Sequence, residues 1–224
     1  MPNYKDIIMS ISIEDYLKTI WLIAREEVAS TSAVADQLGV AAPSVSAMLG
    51  KLQEAGFVSH ERYRGVKLTP RGRHRALRLL RRHRLIETFL LEHLGYSWTE
   101  VHGEAERLEH AVSDHFTEEL ARFLNHPSHD PHGDPIPNAD GTLPDTPNVP
   151  LAKVEIGQVL RVSRLLSQAS DVLSYLAGLN IKPGVQLEVT GREPLGGLVY
   201  VTTQDGQAVL SKDLAMLIRG AVLP

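Results

Sequence analysis

The organisation of this chain follows from one stretch, residues 102–115, which reads HGEAERLEHAVSDH. On a 3.6-residue period it has an apolar face and a second face that carries His102, Glu106, Glu109 and His110. Imidazole nitrogens and carboxylate oxygens one helical turn apart suit a divalent first-row metal. The stretch therefore predicts half of a metal site on a helix. The alternative is a helix face that meets only water.

Length and composition limit the classes of protein to consider. A chain of 224 residues can bury a core without covalent cross-links. It contains no cysteine, which excludes disulfides, thiolate metal sites and cysteine nucleophiles. We find neither a signal peptide nor an apolar run long enough for a membrane helix. We therefore expect a soluble cytoplasmic protein with no membrane partner.

Charge is distributed unevenly along the chain. Residues 1–95 hold 14 Lys and Arg against 10 Asp and Glu, whereas residues 96–224 hold 9 against 17. Between His60 and Arg84 there are ten basic residues and a single acidic one, Glu61. A basic stripe on an acidic protein indicates that one end of the molecule binds a polyanion.

The first third of the chain has the pattern of a helix-turn-helix. An amphipathic helix is predicted over 13–24, a second helix from Ser30 or Thr31 to Gly39, and a third from Pro43 to about Ala55. Two short helices joined by a tight glycine-containing turn are typical of DNA-binding proteins. An ordinary three-helix core is the alternative for this segment.

Two short strands follow, over 57–61 and 65–69, and their cationic turn makes them a β-wing. We expect the start of the third helix to face base edges and backbone in the major groove, and the wing to meet phosphates or the minor groove. The predicted DNA contacts are Ser32, Pro43, Ser44, Ser46, Ala47, Lys51, Arg62, Arg64 and Lys67.

A long helix is predicted from Pro70 to about Gly95. Its apolar stripe is wider than a small domain needs, so we expect a partner helix from a second subunit and hence a homodimer. Residues 98–124 supply further apolar faces for the helical bundle that the long helix and its partner would form. His83 and Glu87 lie four residues apart on the helix, a spacing that by itself is more typical of a surface contact than of a ligand pair.

The remaining sequence divides into a linker and a small β domain. Residues 126–150 lack periodicity and are rich in Pro and Gly, so we interpret them as a linker whose histidines are not metal ligands. Strands are predicted over 159–162, 185–189, 197–203 and 207–210, with a short helix over 170–177. This content favours an SH3-like barrel.

Taken in order, these motifs resemble the diphtheria-toxin-repressor-like metalloregulators over essentially the whole chain. The likeness rests on the winged helix, His83-Arg-Leu-Ile-Glu87, His102-x-x-x-Glu106-x-x-Glu109-His110, Gly133-Asp-Pro135-Ile-Pro137 and the final barrel. Members of the family are homodimeric repressors that bind operator DNA when loaded with Fe(II) or Mn(II). The resemblance implies a mainly α chain with a small β domain: a winged-helix domain (1–72), a helical dimerisation and metal-binding domain (73–125), a linker (126–150) and an SH3-like domain (151–224).

The resemblance also implies two metal sites. The family's primary site falls on Asp15, Glu106, Glu109 and His110. The iron-responsive branch has Met at the position of Asp15 and Cys at that of Glu106, whereas the manganese branch has Asp and Glu, as this chain does. Hard oxygen donors relatively favour Mn(II). We therefore predict Mn(II) as the co-repressor, with Fe(II) as a possible substitute.

The ancillary site of the family falls on His83, Glu87 and His102, with Gln168 and Asp171 as candidate ligands from the third domain. One departure affects this comparison. The binuclear arrangement of the manganese branch needs a second carboxylate one turn after Asp15, where this chain has Lys18. An ancillary site of the three-domain type is therefore expected instead.

The predicted protein is a metal-dependent transcriptional repressor of metal-homeostasis genes and not an enzyme. One alternative is a carboxylate/His metal hydrolase that uses Glu104 or Asp114 as base, although no nucleophile or cofactor loop accompanies the ligands. The other is a winged-helix regulator whose His/Glu face is inert and whose effector is organic.

Overall fold

A computed structural model of the protein describes residues 4–25, 27–61, 64–194 and 197–224, with the backbone alone for residues 4–12 and 61. The described residues form two compact units. The first comprises residues 1–82 and 137–142, and the second comprises residues 83–136 and 143–224. Each unit has its own set of buried apolar side chains.

Three helices open the first unit: α1 (Tyr4–Ala24), α2 (Thr31–Leu38) and α3 (Ala42–Glu54). The hydroxyl of Ser30 accepts a hydrogen bond from the Ala33 amide at 3.1 Å and caps the start of α2. Gly39 ends the same helix in the left-handed region, with φ +65°. These two caps leave only a short turn before α3. The largest fully buried side chains of the three helices are Leu17, Ile20, Leu49 and Leu52.

A β-hairpin follows, with strands β1 (Val58–Glu61) and β2 (Gly65–Leu68) paired antiparallel so that Ser59 lies opposite Lys67. Ala29 forms an isolated antiparallel bridge to Val66, which ties the hairpin to the residues before α2. The winged helix-turn-helix predicted from the sequence is therefore confirmed.

Helix α4 (Pro70–Leu94) contributes residues to both units. Its first turn is fixed by Thr69, whose hydroxyl accepts from the Gly72 amide at 3.1 Å. A Cβ at Gly72 would lie 1.9 Å from the carbonyl oxygen of Phe57, so only glycine allows the helix to approach this backbone.

The second unit continues with α5 (Val101–Leu108) and α6 (Asp114–Phe123). The helical period of residues 102–115 predicted a single helix, whereas α5 ends at Leu108. The reason is that Ser113 caps a new helix by accepting a hydrogen bond from the Phe116 amide at 3.1 Å. Leu85, Ile86 and Leu90 of α4 pack with Val101 and Ala105 of α5 in one apolar cluster.

The C-terminal part of this unit is a six-stranded antiparallel sheet with strand order β3-β8-β4-β5-β6-β7. Buried and exposed residues alternate along β5, as the one-sided burial of a strand in a small barrel requires. The SH3-like domain predicted from the sequence is confirmed, while β3, β8 and α8 were not predicted. The elements are β3 (Val149–Pro150), β4 (Val159–Leu165), α7 (Ser170–Gly178), β5 (Gln186–Arg192), β6 (Leu198–Thr203), β7 (Gly206–Ser211), α8 (Lys212–Leu217) and β8 (Ile218–Val222).

Part of the segment interpreted as a linker is packed rather than exposed, because residues 132–137 are all buried. Asp130 shapes this part: its Oδ1 accepts hydrogen bonds from the amides of His132 and Asp134, both at 2.9 Å. Gly133 then passes close to β4, where a Cβ would lie 1.9 Å from the carbonyl oxygen of Ser163. Its φ of +84° also favours glycine.

Within the part of the chain that the structure describes, no helix is both long and apolar enough to cross a membrane.

Candidate metal centre

Two helices of the second unit bring imidazoles and carboxylates together. His83 and Glu87 are buried and lie one turn apart on α4, and His102 and Glu106 lie one turn apart on α5. His83 Nε2 is 2.9 Å from Glu87 Oε1 and 3.0 Å from His102 Nδ1, and His102 Nδ1 is 3.0 Å from Glu87 Oε1. The three bundle residues predicted for the ancillary site are thus in mutual contact.

His83 also contacts residues predicted for the primary site. Its Nδ1 lies 2.7 Å from Glu109 Oε2 and 3.9 Å from Glu106 Oε1. His110 Nε2 lies 3.5 Å from Glu109 Oε1. One ligand atom each from His83, His102 and Glu106 fits within a group spanning no more than 4.8 Å. The two ligand sets inferred from the sequence are therefore joined through His83.

The Glu87 carboxylate has an unusual electrostatic environment. Burial acts to raise its pKa, but the charge of His83 and hydrogen bonds from His102 and His83 outweigh burial and hold the pKa well below its usual range. Glu87 is therefore ionised, which is the form that binds a metal.

A second group of three potential ligands lies beside His83, Glu87 and His102 and shares Glu87 with them. One ligand atom each from Glu87, Asp130 and His132 lies within 4.8 Å of the other two, and all three residues are buried. Sequence analysis missed Asp130 and His132 because it assigned the segment around them to a flexible linker. The concentration of His and Asp in residues 126–134 was the signal that pointed to them.

Three side-chain atoms of this second group have no hydrogen-bond partner among the described residues: Glu87 Oε2, Asp130 Oδ2 and His132 Nδ1. Arg84 Nε lies 3.4 Å from Asp130 Oδ2 as an ion pair but does not donate a hydrogen bond to it. Buried polar atoms are nearly always satisfied, and buried carboxylates are paired or coordinate a metal. Two carboxylates and one imidazole in one group, each with an atom that lacks a hydrogen bond, fit a divalent cation.

The protonation of this group also suits a cation. Burial lowers the pKa of His132, which keeps its ring neutral. Its Nε2 lies 3.0 Å from the carbonyl oxygen of Trp98, which can only accept, so Nε2 carries the hydrogen and Nδ1 keeps its lone pair. Burial and the negative charge of Glu87 raise the pKa of Asp130 well above its usual range. A positive ion would relieve this repulsion between the carboxyls.

The remaining predicted ligands are Asp15, Gln168 and Asp171. Asp15 lies on α1 in the first unit, apart in the chain from the other primary-site candidates. Gln168 precedes α7, and its Oε1 is buried without a hydrogen-bond partner among the described residues. Asp171 is exposed, accepts a hydrogen bond from the Val172 amide at 2.8 Å, and belongs to no His/carboxylate group in the described part of the chain.

The residues predicted to contact DNA are exposed wherever the structure describes them. On α3 the buried Val45, Leu49 and Leu52 hold the helix against its unit, while the opposite face is free to meet a groove. Arg62 lies outside the described residues. The exposed candidates are Ser32, Pro43, Ser44, Ser46, Ala47, Lys51, Arg64 and Lys67.

Comparison with protein-family models assigns all three parts of the chain. Residues 9–66 match the N-terminal DNA-binding domain of iron-dependent repressors. Residues 69–138 match their metal-binding and dimerisation domain, and residues 149–221 match the FeoA domain.

Curated relatives match over nearly their full length. The diphtheria toxin repressor of Corynebacterium diphtheriae is 30% identical over 220 residues, which cover 92% of this chain and 95% of the relative. The iron-dependent repressor IdeR of Mycobacterium leprae is 27% identical over 219 residues, with the same coverage of 92% and 95%.

Solved structures are similar over the same extent. A manganese-dependent transcriptional repressor in complex with manganese has a TM-score of 0.87 and 40% identity, over 94% of this chain and 100% of that one. The manganese regulator SloR has a TM-score of 0.79 and 36% identity, over 94% and 98%.

Proposed function

The chain belongs to the diphtheria-toxin-repressor-like family of metal-dependent transcriptional repressors, and we propose that Mn(II) is the metal to which it responds. It binds DNA, depends on a divalent metal and is not an enzyme, so the hydrolase alternative is set aside.

The observation that carries the metal assignment is the set of three buried atoms that lack a hydrogen bond among the described residues: Glu87 Oε2, Asp130 Oδ2 and His132 Nδ1. We assign the second metal to these residues, in preference to Gln168 and Asp171. A bound divalent cation would supply the positive charge that lets two buried carboxylates ionise side by side. Glu87 would bind the metal from α4, and Asp130 and His132 would bind it from the segment that follows α6.

Around this group, His83 and His102 orient the shared carboxylate. Both contact Glu87 Oε1, at 2.9 and 3.0 Å, and Oε2 is left without a hydrogen bond among the described residues. Such hydrogen bonds to a ligating carboxylate position it and tune its affinity. His83 and His102 also complete, with Glu106, the neighbouring group of potential ligands.

For the primary site we propose the residues that the family resemblance assigns: Asp15, Glu106, Glu109 and His110. Asp15 lies on the helix that precedes the helix-turn-helix, and the other three follow in the dimerisation domain. Ligands drawn from both domains would make the placement of the DNA-contacting helices depend on metal. Metal would then shift the population toward the form that binds the operator.

The preference for Mn(II) is inferred from the donor atoms. Every proposed ligand is a carboxylate or an imidazole, and the chain has no cysteine. Hard oxygen donors relatively favour Mn(II), the weakest binder among the divalent first-row ions. The similar structure solved with manganese supports the same choice.

The family dimerises through the domain that matches residues 69–138. We propose that the exposed apolar side chains of α4 and α6 belong to this interface. Leu94, Phe116 and Phe123 are 55%, 47% and 64% exposed, which is costly for side chains of this size unless a partner covers them.

The test is operator binding after chelation, with Mn(II), Fe(II) under anaerobic conditions, or Zn(II) added back. We expect chelated protein to lose operator binding. For each metal, the free concentration that restores binding is compared with the affinity expected from the Irving–Williams order, and on this scale Mn(II) should be the most effective. Glu106→Ala and His110→Ala should abolish the restoration, whereas Glu188→Ala, an exposed glutamate on β5, should not.

Two results would contradict the proposal. Operator binding that is unaffected by chelation would favour an organic effector instead. Unchanged Mn(II) dependence in both Glu106→Ala and His110→Ala would show that the primary ligands are elsewhere.

A further inference from the structure

Arg84 is a buried cation on the part of α4 that also carries Glu87. Its side chain is only 3% exposed, and it lies three residues before Glu87, on the same side of the helix. A buried charge is costly unless it has partners. The partners of Arg84 lie in the segment that supplies Asp130 and His132 to the proposed second metal site.

The contacts of Arg84 differ in kind. Its Nη1 donates a short hydrogen bond of 2.6 Å to the carbonyl oxygen of Pro135. Its Nε lies 3.4 Å from Asp130 Oδ2 as an ion pair, and this oxygen has no hydrogen bond among the described residues. Arginines that bind carboxylates frequently do so through two parallel N–H···O bonds. Arg84 instead supplies charge to Asp130 and leaves the lone pairs of Oδ2 unused.

Asp134 divides its charge between two arginines. Its Oδ1 lies 3.6 Å from Arg84 Nη2 and accepts a hydrogen bond from Arg164 Nη1, on β4, at 3.4 Å. The Arg164 side chain is largely buried too, and its Nη2 donates to the Asn148 side chain at 2.7 Å. Because Arg164 also draws on the Asp134 carboxylate, Asp134 neutralises Arg84 only in part. The remaining charge of Arg84 acts on Asp130.

The arginines and carboxylates of this cluster nearly balance in the absence of metal. Arg84 and Arg164 are grouped with three carboxylates, those of Glu87, Asp130 and Asp134. A divalent cation would reverse the sign of this balance, and it would share the Asp130 carboxylate with Arg84. Charges away from water are weakly screened, so the guanidinium group opposes binding of the cation.

On the basis of the proposed second site, we infer that Arg84 is a resident counter-ion, which stabilises the carboxylates of that site when metal is absent and lowers their affinity for metal. The metal must replace the charge interaction between Arg84 and Asp130. Arg84 therefore sets the metal concentration at which the second site fills. Asp134 and Arg164 adjust this concentration, because they determine how much of the Arg84 charge acts on Asp130.

Calorimetric Mn(II) titration of full-length Arg84→Gln tests the inference. We expect the second equivalent to bind at least about tenfold more tightly than in the wild type, since a charge within about 4–6 Å changes the proton affinity of a carboxylate by that factor or more. Arg84→Lys keeps the charge and loses the planar group, so it should bind metal no more tightly than the wild type. Arg161→Gln removes an exposed charge from β4 and should leave both equivalents unchanged.

Urea unfolding in EDTA at neutral pH provides a readout without metal. Loss of the counter-ion should make Arg84→Gln less stable than Arg84→Lys, and Mn(II) should raise the stability of Arg84→Gln by the larger amount. If Arg84→Gln does not fold, Arg164→Gln takes its place. It releases Asp134 to neutralise Arg84, so it should also tighten the second equivalent, but by a smaller factor.

Weaker binding of the second equivalent in both Arg84→Gln and Arg84→Lys would show that Arg84 acts only by holding the Pro135 segment, and the inference would be wrong. Equal tightening in Arg161→Gln would reduce the effect to net charge and would overturn it as well.

Asp130→Asn separates this inference from the proposed function. If Asp130→Asn weakens the second equivalent but Arg84→Gln does not tighten it, the counter-ion role alone is wrong. If Asp130→Asn leaves both equivalents intact, the assignment of the second site is wrong, and the role of Arg84 falls with it.

Discussion

His132 donates a hydrogen bond from Nε2 to the backbone carbonyl oxygen of Trp98 at 3.0 Å, and the centroids of the two rings lie 5.1 Å apart. The bond leaves Nδ1 of His132 with a lone pair and without a hydrogen bond among the described residues, in a group with Glu87 and Asp130. Trp98 in turn donates from its indole nitrogen to the carbonyl oxygen of Pro131 at 3.0 Å, and it packs against the core of the C-terminal barrel. The barrel is thereby connected to the proposed second metal site through Trp98 as well as through β4.

Asp130→Asn should weaken the second metal equivalent at least about tenfold while leaving the first nearly unchanged, because an amide replaces a charged ligand. The amide oxygen can still accept the two backbone hydrogen bonds of Asp130 Oδ1, so the turn should persist. Calorimetric Mn(II) titration measures both equivalents. Asp171→Asn is the matched comparison, and a greater loss in that variant would return the ligand assignment to the third domain.

The Asp130 carboxyl also predicts a pH dependence of stability in the metal-free protein. Burial and the charge of Glu87 raise its folded pKa, so the folded protein holds this proton more tightly than the unfolded chain does. The contribution of Asp130 to the free energy of unfolding should therefore fall as pH rises from about 4, the unfolded value, through the raised folded pKa. Asp130→Asn lacks this contribution, so its stability relative to the wild type should increase over that window.

Urea unfolding in EDTA at a series of pH values measures this difference. Glu87 acts in the opposite sense, because its pKa is lowered and the stability it contributes is lost as pH falls below about 4. Glu87 is present in both the wild type and Asp130→Asn, so its contribution to the pH dependence largely cancels when their stabilities are compared. A difference between variant and wild type that does not change with pH would contradict the environment described for Asp130.

Trp98 should report binding of the second metal by its fluorescence, since its ring lies beside His132. The chain has two tryptophans, and the other, Trp21, is buried on α1 in the first unit. We expect the fluorescence change that accompanies the second Mn(II) equivalent to disappear in Trp98→Phe and to remain in Trp21→Phe. The reverse pattern would place the metal-sensitive environment in the first unit.

Gly133→Ala should destabilise the fold by several kcal/mol and weaken the second metal equivalent, because the added Cβ would lie 1.9 Å from the Ser163 carbonyl oxygen. Gly141→Ala is the control for backbone strain. Its φ of +81° is close to the +84° of Gly133, but the nearest atoms to a Cβ there are 3.8 Å away. It should cost only about 1–2 kcal/mol, the strain of a left-handed alanine. Equal losses in thermal and urea unfolding would mean that the contact with β4 has little effect.

Arg64→Ala should weaken binding to operator and non-operator duplexes alike. If Arg64 meets one phosphate, the slope of log K against log salt should become shallower by about 0.9. Fluorescence anisotropy over a series of salt concentrations gives the slope, with Arg161→Ala as the control for net charge. A loss restricted to one operator sequence at unchanged slope would instead indicate base recognition by the wing.

The elements that sequence analysis predicted are those stabilised by near neighbours in the chain. Ser30 and Gly39 mark the ends of α2 because their capping bonds close within a few residues. By contrast, β3 has only two residues and forms by pairing with β8, far along the chain. No local sequence pattern therefore predicts it. The end of α5 was missed for a different reason, since the helical period continues past Leu108 and only the Ser113 cap breaks it.

The candidate site likewise has one part that the sequence predicts and another that only the tertiary structure defines. The sequence by itself was sufficient to identify the family and to place His83 with Glu87, and His102 with Glu106, on a common helix face, because a four-residue spacing has this effect wherever the helix packs. Only the tertiary structure revealed Asp130 and His132 as partners of Glu87. Their segment has no period, and it is buried by long-range contacts, among them Gly133 against β4 and the 2.6 Å hydrogen bond from Arg84 to the Pro135 carbonyl oxygen. Burial makes these two polar residues candidate ligands, since it removes the water that would otherwise satisfy them.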